Sequence, residues 1–143
     1  MAKTLYTAHA HVTGGRDGNA KAADSGLELD LRVPKEMGGD GGGTNPEELF
    51  AIGYAACFES ALVTVGRRRH VHAENVSIDS AVSLLPTGDG GYLLAVSLDV
   101  ALPAIEDRQT AVELVRDAHQ VCPYSNATRG NIDVTLLLHG EPI

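Results

Sequence analysis

The chain has 143 residues and a formal net charge of −8 at pH 7. This length is enough to bury one sizeable core without disulfides or structural metals, so a single domain over residues 1–143 is expected. The acidic balance argues against nucleic acid and anionic membranes as main partners, because both would repel the protein. With four Tyr, two Phe and no Trp, platforms that stack bases are not expected either.

The same features predict a soluble, cytoplasmic protein. No apolar run approaches the roughly 20 residues that span a bilayer, and residues 1–12 lack the apolar centre of a secretory signal. The chain has two cysteines, which are rarely structural disulfides in a cytosolic protein. No CxxC pair is present, and the glycines of residues 38–43 have the wrong spacing for a phosphate-binding loop.

In chain order, residues 3–12 are predicted to form a first strand, and the alternation of apolar and polar residues over 27–33 predicts a second. Residues 14–24 connect them as a polar loop that is longer than a hairpin needs. Loops of this kind often carry function.

A long helix is predicted next. Thr44 or Asn45 can cap it, Pro46 suits its first turn, and a Glu lies three residues beyond either cap. The helix is expected to run to about Arg69. Its middle, residues 49–58, is apolar all round, which predicts burial on every side, with a sheet covering one face and a partner chain a plausible cover for another.

The second half of the chain predicts two more strands, over 76–84 and 92–102, joined by a hairpin turn at 87–91. A second helix is predicted from about Glu106 to Val121, and a last strand over 132–138. Pro123 is expected to stop that helix. The order β-β-α-β-β-α-β predicts an α+β fold with antiparallel-rich sheets, two helices and a central buried helix.

Cys57 lies in the middle of the apolar helix, where the simplest interpretation is a small, inert core side chain with a raised pKa. The N-terminus of that helix is about 16 Å away, too far for its dipole to stabilise a thiolate. A reactive Cys57 would therefore need a nearby cation. Arg16 is a candidate, because glycines flank it and allow close backbone approach, although an arginine in a surface turn is the simpler interpretation.

Cys122 directly precedes Pro123 at the end of the predicted second helix. It is either the last residue of the apolar stripe or a thiol at a junction that can shift, because a residue before proline leaves the helical region. The residues alone leave both interpretations open.

Three stretches resemble the signatures of one family, the organic hydroperoxide resistance proteins of the OsmC/Ohr family. They are TNPEELFAIGYAACF at 44–58, VCPYSNATRGN at 121–131 and GGRDG at 14–18. They occur in the right order, both cysteines are in place, and the resemblance covers essentially the whole chain. The chain departs from the family signatures in small ways: Glu48 stands where the family commonly has Gln, and Ile52 stands where it commonly has Ala.

The resemblance implies an intertwined α+β homodimer with active sites at the subunit interface. It also implies a thiol-dependent peroxidase that reduces organic hydroperoxides, including those of fatty acids. Cys57 would then be the peroxidatic cysteine and Cys122 the resolving one, with Arg16 and Glu47 as the pair that activates Cys57. Because Glu47 also suits the helix cap, its carboxylate has two competing roles.

The resemblance further implies how the enzyme is reset. Cys57 becomes a sulfenic acid and then a disulfide with Cys122, which an external dithiol reduces; the expected donor is a lipoyl group on a partner protein. Neither a bound cofactor nor a metal is expected. Phe50 and Phe58 would line an apolar mouth for alkyl peroxides, or else simply pack in the core.

Three other functions remain as alternatives. The first is a cysteine hydrolase in which His119 or another histidine is the base for Cys57. The second is a metal-binding module built from the thiols and His70, His72 and His119, although an isolated His-x-His is sparse for a metal site. The third is a binding protein with no catalytic activity.

Overall fold

The computed structural model describes residues 2–143. The chain divides into two compact units, one ending at Leu49 and one running from Phe50 to Ile143. The first unit contains a three-stranded antiparallel sheet of β1 (Ala10–Thr13), β2 (Gly18–Ala22) and β3 (Glu28–Leu31), in that spatial order. The single domain inferred from the length stays a prediction.

The segment predicted as a long loop, residues 14–24, contains β2 and only a tight turn, so that prediction was wrong. Gly14 and Gly15 adopt positive φ angles of 78° and 58°, and the Asp17 N–H donates to the Gly14 carbonyl at 3.1 Å. At Gly18 a Cβ would overlap the Thr13 carbonyl oxygen. The predicted first strand was also too long, because only Ala10–Thr13 pairs as strand.

Helix α1 (Pro46–Arg68) has 23 residues and follows the predicted bounds closely. Its N-cap is Asn45, whose side-chain oxygen accepts a hydrogen bond from the Glu48 N–H at 2.8 Å. Thr44 donates to the Glu48 carboxylate at 2.8 Å. The cap therefore uses Glu48 and leaves the carboxylate of Glu47 available for another partner.

The second unit contains a four-stranded mixed sheet of β4 (Ser77–Pro86), β5 (Tyr92–Ala101), β6 (Val134–Leu138) and β7 (Glu141–Pro142). β5 and β6 pair in parallel, and the other neighbouring pairs are antiparallel. The three predicted strands are confirmed as β4, β5 and β6, whereas the short β7 was not predicted.

Two further helices follow β5 in this unit: α2 (Arg108–Val121) and α3 (Pro123–Thr128). The α+β class is confirmed, but the prediction of two helices was one short. Pro123 ends α2 as expected and also begins α3, because a proline at the first helical position lacks only an N–H that would have no partner there.

Helices and sheet of the second unit enclose one core. Its fully buried large side chains include Tyr54, Phe58, Leu62, Leu98, Leu102, Leu114, Leu138. In the single chain one face of α1 is uncovered, since Ile52 is 65% exposed and Ala56 is exposed as well; its cover by a partner chain stays a prediction.

By length and composition, α1 is long and apolar enough to cross a membrane. In this chain the helix instead contributes Tyr54, Phe58 and Leu62 to the core of the second unit. Its apolar character is that of a core helix.

Candidate active site

The fold brings the two cysteines together, although they come from different helices. Cys57 is half-buried on α1, and Cys122 is completely buried between α2 and α3. Both are free thiols, and they lie close enough together for Cys122 to raise the pKa of Cys57. The backbone of Cys122 is fixed on both sides, because its N–H donates to Ala118 at 2.8 Å and its carbonyl accepts from Asn126 at 3.0 Å.

The start of α3 supplies a second contact to Cys57. The first N–H groups of a helix have no partner within it, and the backbone of Tyr124 acts on Cys57 in the direction that lowers the pKa of its thiol. The sequence interpretation missed this contact because Pro123 was treated only as a helix stop. The signal that could have found it is a proline at the first position of a new helix.

Burial raises the pKa of the Cys57 thiol. The backbone of Tyr124 acts in the opposite direction, and the neighbouring Cys122 raises the pKa further, because a thiolate there would repel a second one. Cys57 in this setting is therefore a protonated thiol at neutral pH unless a cation stabilises the thiolate.

Arg16 and Glu47 form a two-point ion pair in the first unit. The two terminal nitrogens of Arg16 donate to the two carboxylate oxygens of Glu47 at 2.7 and 2.6 Å. The hydrogen bonds from Arg16 lower the pKa of Glu47, and those to Glu47 raise the pKa of Arg16. Glu47 thus pairs with Arg16 while Asn45 and Glu48 serve the cap. The role of the pair toward Cys57 stays a prediction.

The second unit also has an apolar groove of about 720 Å³. Tyr124, whose backbone influences the pKa of Cys57, is part of its wall. Of the two phenylalanines expected at a substrate mouth, Phe50 lines the groove and Phe58 is fully buried in the core. The lining residues are Phe50, Tyr92, Leu93, Leu94, Pro123, Tyr124, Ala127, Thr128, Asn131, Ile132.

An aromatic cluster packs around the start of this groove. The rings of Phe50 and Tyr124 meet edge to face with centroids 5.7 Å apart, and the rings of Tyr54 and Tyr124 lie 5.5 Å apart. Gly53 allows this packing, because a Cβ at that position would lie 2.5 Å from the Tyr124 hydroxyl. A glycine in a helix interior costs about 1 kcal/mol relative to alanine, so its presence here serves the close approach of the ring.

Gly53→Ala is therefore expected to displace the Tyr124 ring and reshape the groove. The gain in helix propensity, about 1 kcal/mol, is offset by the overpacking, which typically costs about 1–3 kcal/mol. Thermal unfolding should show no stabilisation of the Gly53→Ala variant. A variant that is more stable by the full propensity gain would contradict this role of Gly53.

The histidines named in the alternatives differ in their surroundings. The ring Nδ1 of His119 is 2.8 Å from the hydroxyl of Ser125; burial and, secondarily, the charge of Arg129 lower its pKa. His70 and His72 are exposed. Across residues 2–143, no three His, Cys, Asp or Glu side chains are grouped as metal ligands would be.

A buried chain of hydroxyl groups was not predicted at all. The Tyr54 hydroxyl is 2.8 Å from the Ser125 hydroxyl and 3.2 Å from that of Thr128. His119 extends this chain through Ser125. No local sequence signal marks it, because its members come from three different helices.

Comparison with known proteins agrees with this architecture. The family model described as OsmC-like protein matches residues 39–137. An organic hydroperoxide resistance protein of Xanthomonas axonopodis pv. citri is 53% identical over 140 residues, which cover 95% of this chain and 96% of that protein.

Two solved structures are also similar. The crystal structure of an organic hydroperoxide resistance protein from Legionella pneumophila has a TM-score of 0.90 at 49% identity, covering 95% of this chain and 98% of that one. OhrB of Bacillus subtilis has a TM-score of 0.84 at 44% identity, covering 94% and 99%. The chain therefore belongs to the OsmC-like protein family, in its branch of organic hydroperoxide resistance proteins.

Proposed function

We propose that this protein is a thiol-dependent peroxidase that reduces organic hydroperoxides, with Cys57 as the peroxidatic and Cys122 as the resolving cysteine. The observation that carries the proposal is the pair of neighbouring free thiols beside an apolar groove. Relatives named for resistance to organic hydroperoxides support the substrate class.

In the first step, the Cys57 thiolate attacks the terminal oxygen of the hydroperoxide. An S–O bond forms, the O–O bond breaks, and the alkoxide leaves and takes up a proton to become the alcohol. Cys57 is oxidised to a sulfenic acid as the hydroperoxide is reduced. The apolar groove suits the alkyl part of such a substrate, since Phe50, Leu93 and Ile132 line it.

Arg16 is proposed to supply the cation that Cys57 requires. A guanidinium stays charged when it is desolvated, and it has more N–H donors than the two that Glu47 occupies. The remaining donors suit a thiolate or a peroxide oxygen. Glu47, only 14% exposed, would fix the orientation of the Arg16 guanidinium from the first turn of α1.

In the second step, Cys122 attacks the sulfur of the Cys57 sulfenic acid. An S–S bond forms, the S–O bond breaks, and the hydroxyl leaves with the thiol proton as water. The adjacency of the two thiols supports this route. An external dithiol of the lipoyl type, carried by a partner protein, would then reduce the disulfide and be oxidised in turn.

We further propose an intertwined homodimer of single-domain subunits in the cytoplasm, with the active site at the subunit interface. Apolar residues of α1 that the single chain leaves exposed, Ile52 above all, support a partner chain as the cover of that face. Neither a bound cofactor nor a metal takes part in the proposed reaction.

Peroxide consumption tests the substrate class, with dihydrolipoamide as the reductant and tert-butyl hydroperoxide compared with hydrogen peroxide. Burial of a butyl-sized group at about 0.8 kcal/mol per carbon predicts a preference for the organic substrate on the order of 10²-fold in kcat/KM. Equal turnover of both peroxides, or none of either, would contradict the proposal.

Cys122→Ser separates this proposal from a Cys57 hydrolase with His119 as its base. We expect the variant to consume about one equivalent of hydroperoxide and then stall, or to depend on small thiols, because the disulfide cannot form. Wild-type protein in the same assay is the control. A hydrolase would continue to turn over an ester substrate after this substitution.

A further inference from the structure

The buried chain of hydroxyl groups has no part in the steps described so far. It joins His119, Ser125, Tyr54 and Thr128 through contacts of 2.8, 2.8 and 3.2 Å. Tyr54 and Ser125 are both 0% exposed. Buried hydroxyl groups are costly unless hydrogen-bonded, so the contacts of Tyr54 with Ser125 and Thr128 fix a geometry that cannot relax toward water.

Three members of the chain stand three residues from a thiol. Tyr54 precedes Cys57 by three residues on α1, and residues three apart on a helix lie on the same side. His119 and Ser125 stand three residues before and after Cys122, which caps the end of α2 and the start of α3. The Ser125 hydroxyl therefore ties the helix of Cys57 to both helices that meet at Cys122.

Apolar packing alone would not fix this arrangement. The hydrophobic effect holds α1, α2 and α3 together but has no direction, whereas hydrogen bonds through Ser125 define how the α2–α3 junction is turned toward α1. The backbone of Cys122 is already held by Ala118 and Asn126. The orientation of the junction thus decides where the Cys122 sulfur points.

We propose that Tyr54 and Ser125 are positioning residues for the resolving step: they hold the α2–α3 junction so that Cys122 attacks the Cys57 sulfenic acid. This inference rests on the proposed peroxidase function. The step competes with attack by a second hydroperoxide, which oxidises the sulfenic acid to a sulfinic acid and is itself reduced to an alcohol. Correct placement of Cys122 therefore protects the enzyme from inactivation.

The test separates the two steps in single-turnover experiments on the full-length Tyr54→Phe and Ser125→Ala variants with tert-butyl hydroperoxide. Hydroperoxide consumption reports formation of the sulfenic acid, and mass spectrometry of quenched samples reports the disulfide and the sulfinic acid. Tyr54→Phe keeps the aromatic packing and removes only the hydroxyl, so the fold is expected to persist. Circular dichroism checks this for both variants.

Sulfenic acid formation should stay within about twofold of wild type, while disulfide formation should slow by about tenfold or more, because misplacing a reacting group by about 1 Å costs up to ~10²-fold. Sulfinic acid should accumulate at correspondingly lower hydroperoxide concentrations. Tyr6→Phe, which removes a phenolic hydroxyl bonded to Asp24 at 2.8 Å on the surface, should behave as wild type in both steps.

Two results would overturn the inference in different ways. If wild-type protein consumes no organic hydroperoxide, the proposed function fails and this inference fails with it. If wild type turns over and both variants form the disulfide at the wild-type rate, the positioning role alone fails. A purely structural role would lower the unfolding temperature without changing the division between disulfide and sulfinic acid.

Discussion

Cys57→Ser is expected to abolish reduction of organic hydroperoxides. The activity should fall by about 10³-fold or more, because the substitution removes the nucleophile and with it the covalent route. Serine is close in size, and Cys57 is only half-buried, so the fold should persist at a cost of no more than about 1–3 kcal/mol. Steady-state peroxide consumption and thermal unfolding measure the two effects separately.

The matched control is Cys122→Ser, which removes the other of the two neighbouring thiols. It should retain the first turnover, whereas Cys57→Ser should lack even that. If Cys57→Ser still reduces one equivalent of hydroperoxide, the peroxidatic sulfur is not Cys57, and the assignment of the two cysteines would have to be reversed or abandoned.

Arg16→Ala is expected to lower both the alkylation rate of Cys57 and the peroxidase rate at pH 7 by about tenfold or more. Burial and the neighbouring Cys122 raise the pKa of Cys57, and the proposed cation opposes them. Without the cation the pKa rises, so less thiolate exists at neutral pH. The alkylation rate should therefore recover as the pH is raised, and its midpoint should lie at a higher pH than in wild type.

Lys21→Ala is the control for net charge, since it removes a cation from β2, the strand that follows the turn bearing Arg16. Lys21 is 62% exposed and pairs with Glu28 at 3.5 Å, so the pH profile should match that of wild type. An Arg16→Ala profile that also superimposes on wild type would exclude Arg16 from activation of Cys57.

Periodicity predicted the elements whose side chains alternate or form a stripe. β4, β5 and β6 alternate apolar and polar residues, and α2 buries one stripe of apolar residues. The local sequence pattern was therefore enough to predict the approximate bounds of these elements. β2 was missed because its sequence, Gly-Asn-Ala-Lys-Ala, has no large apolar residue to mark a face. α3 was missed because it has only six residues, fewer than a periodic signal needs.

Only part of the candidate site could be predicted from the sequence. The cysteines and the Arg16–Glu47 pair were recognised through motif resemblance, and the structure adds which carboxylate serves the cap: Glu48 does, so Glu47 is free for Arg16. The influence of the Tyr124 backbone on Cys57 and the hydroxyl chain through Ser125 depend on how three helices pack. No local pattern encodes contacts between segments that are so far apart in the chain.

The most direct test of the account follows both thiols through one oxidation. Fully reduced protein is treated with one equivalent of tert-butyl hydroperoxide, unreacted thiols are alkylated, and the digest is analysed by mass spectrometry without reduction. The account predicts one equivalent of alcohol and a peptide pair joined by a Cys57–Cys122 disulfide. Intact hydroperoxide with both thiols alkylated, or an oxidised Cys57 that never joins Cys122, would contradict it.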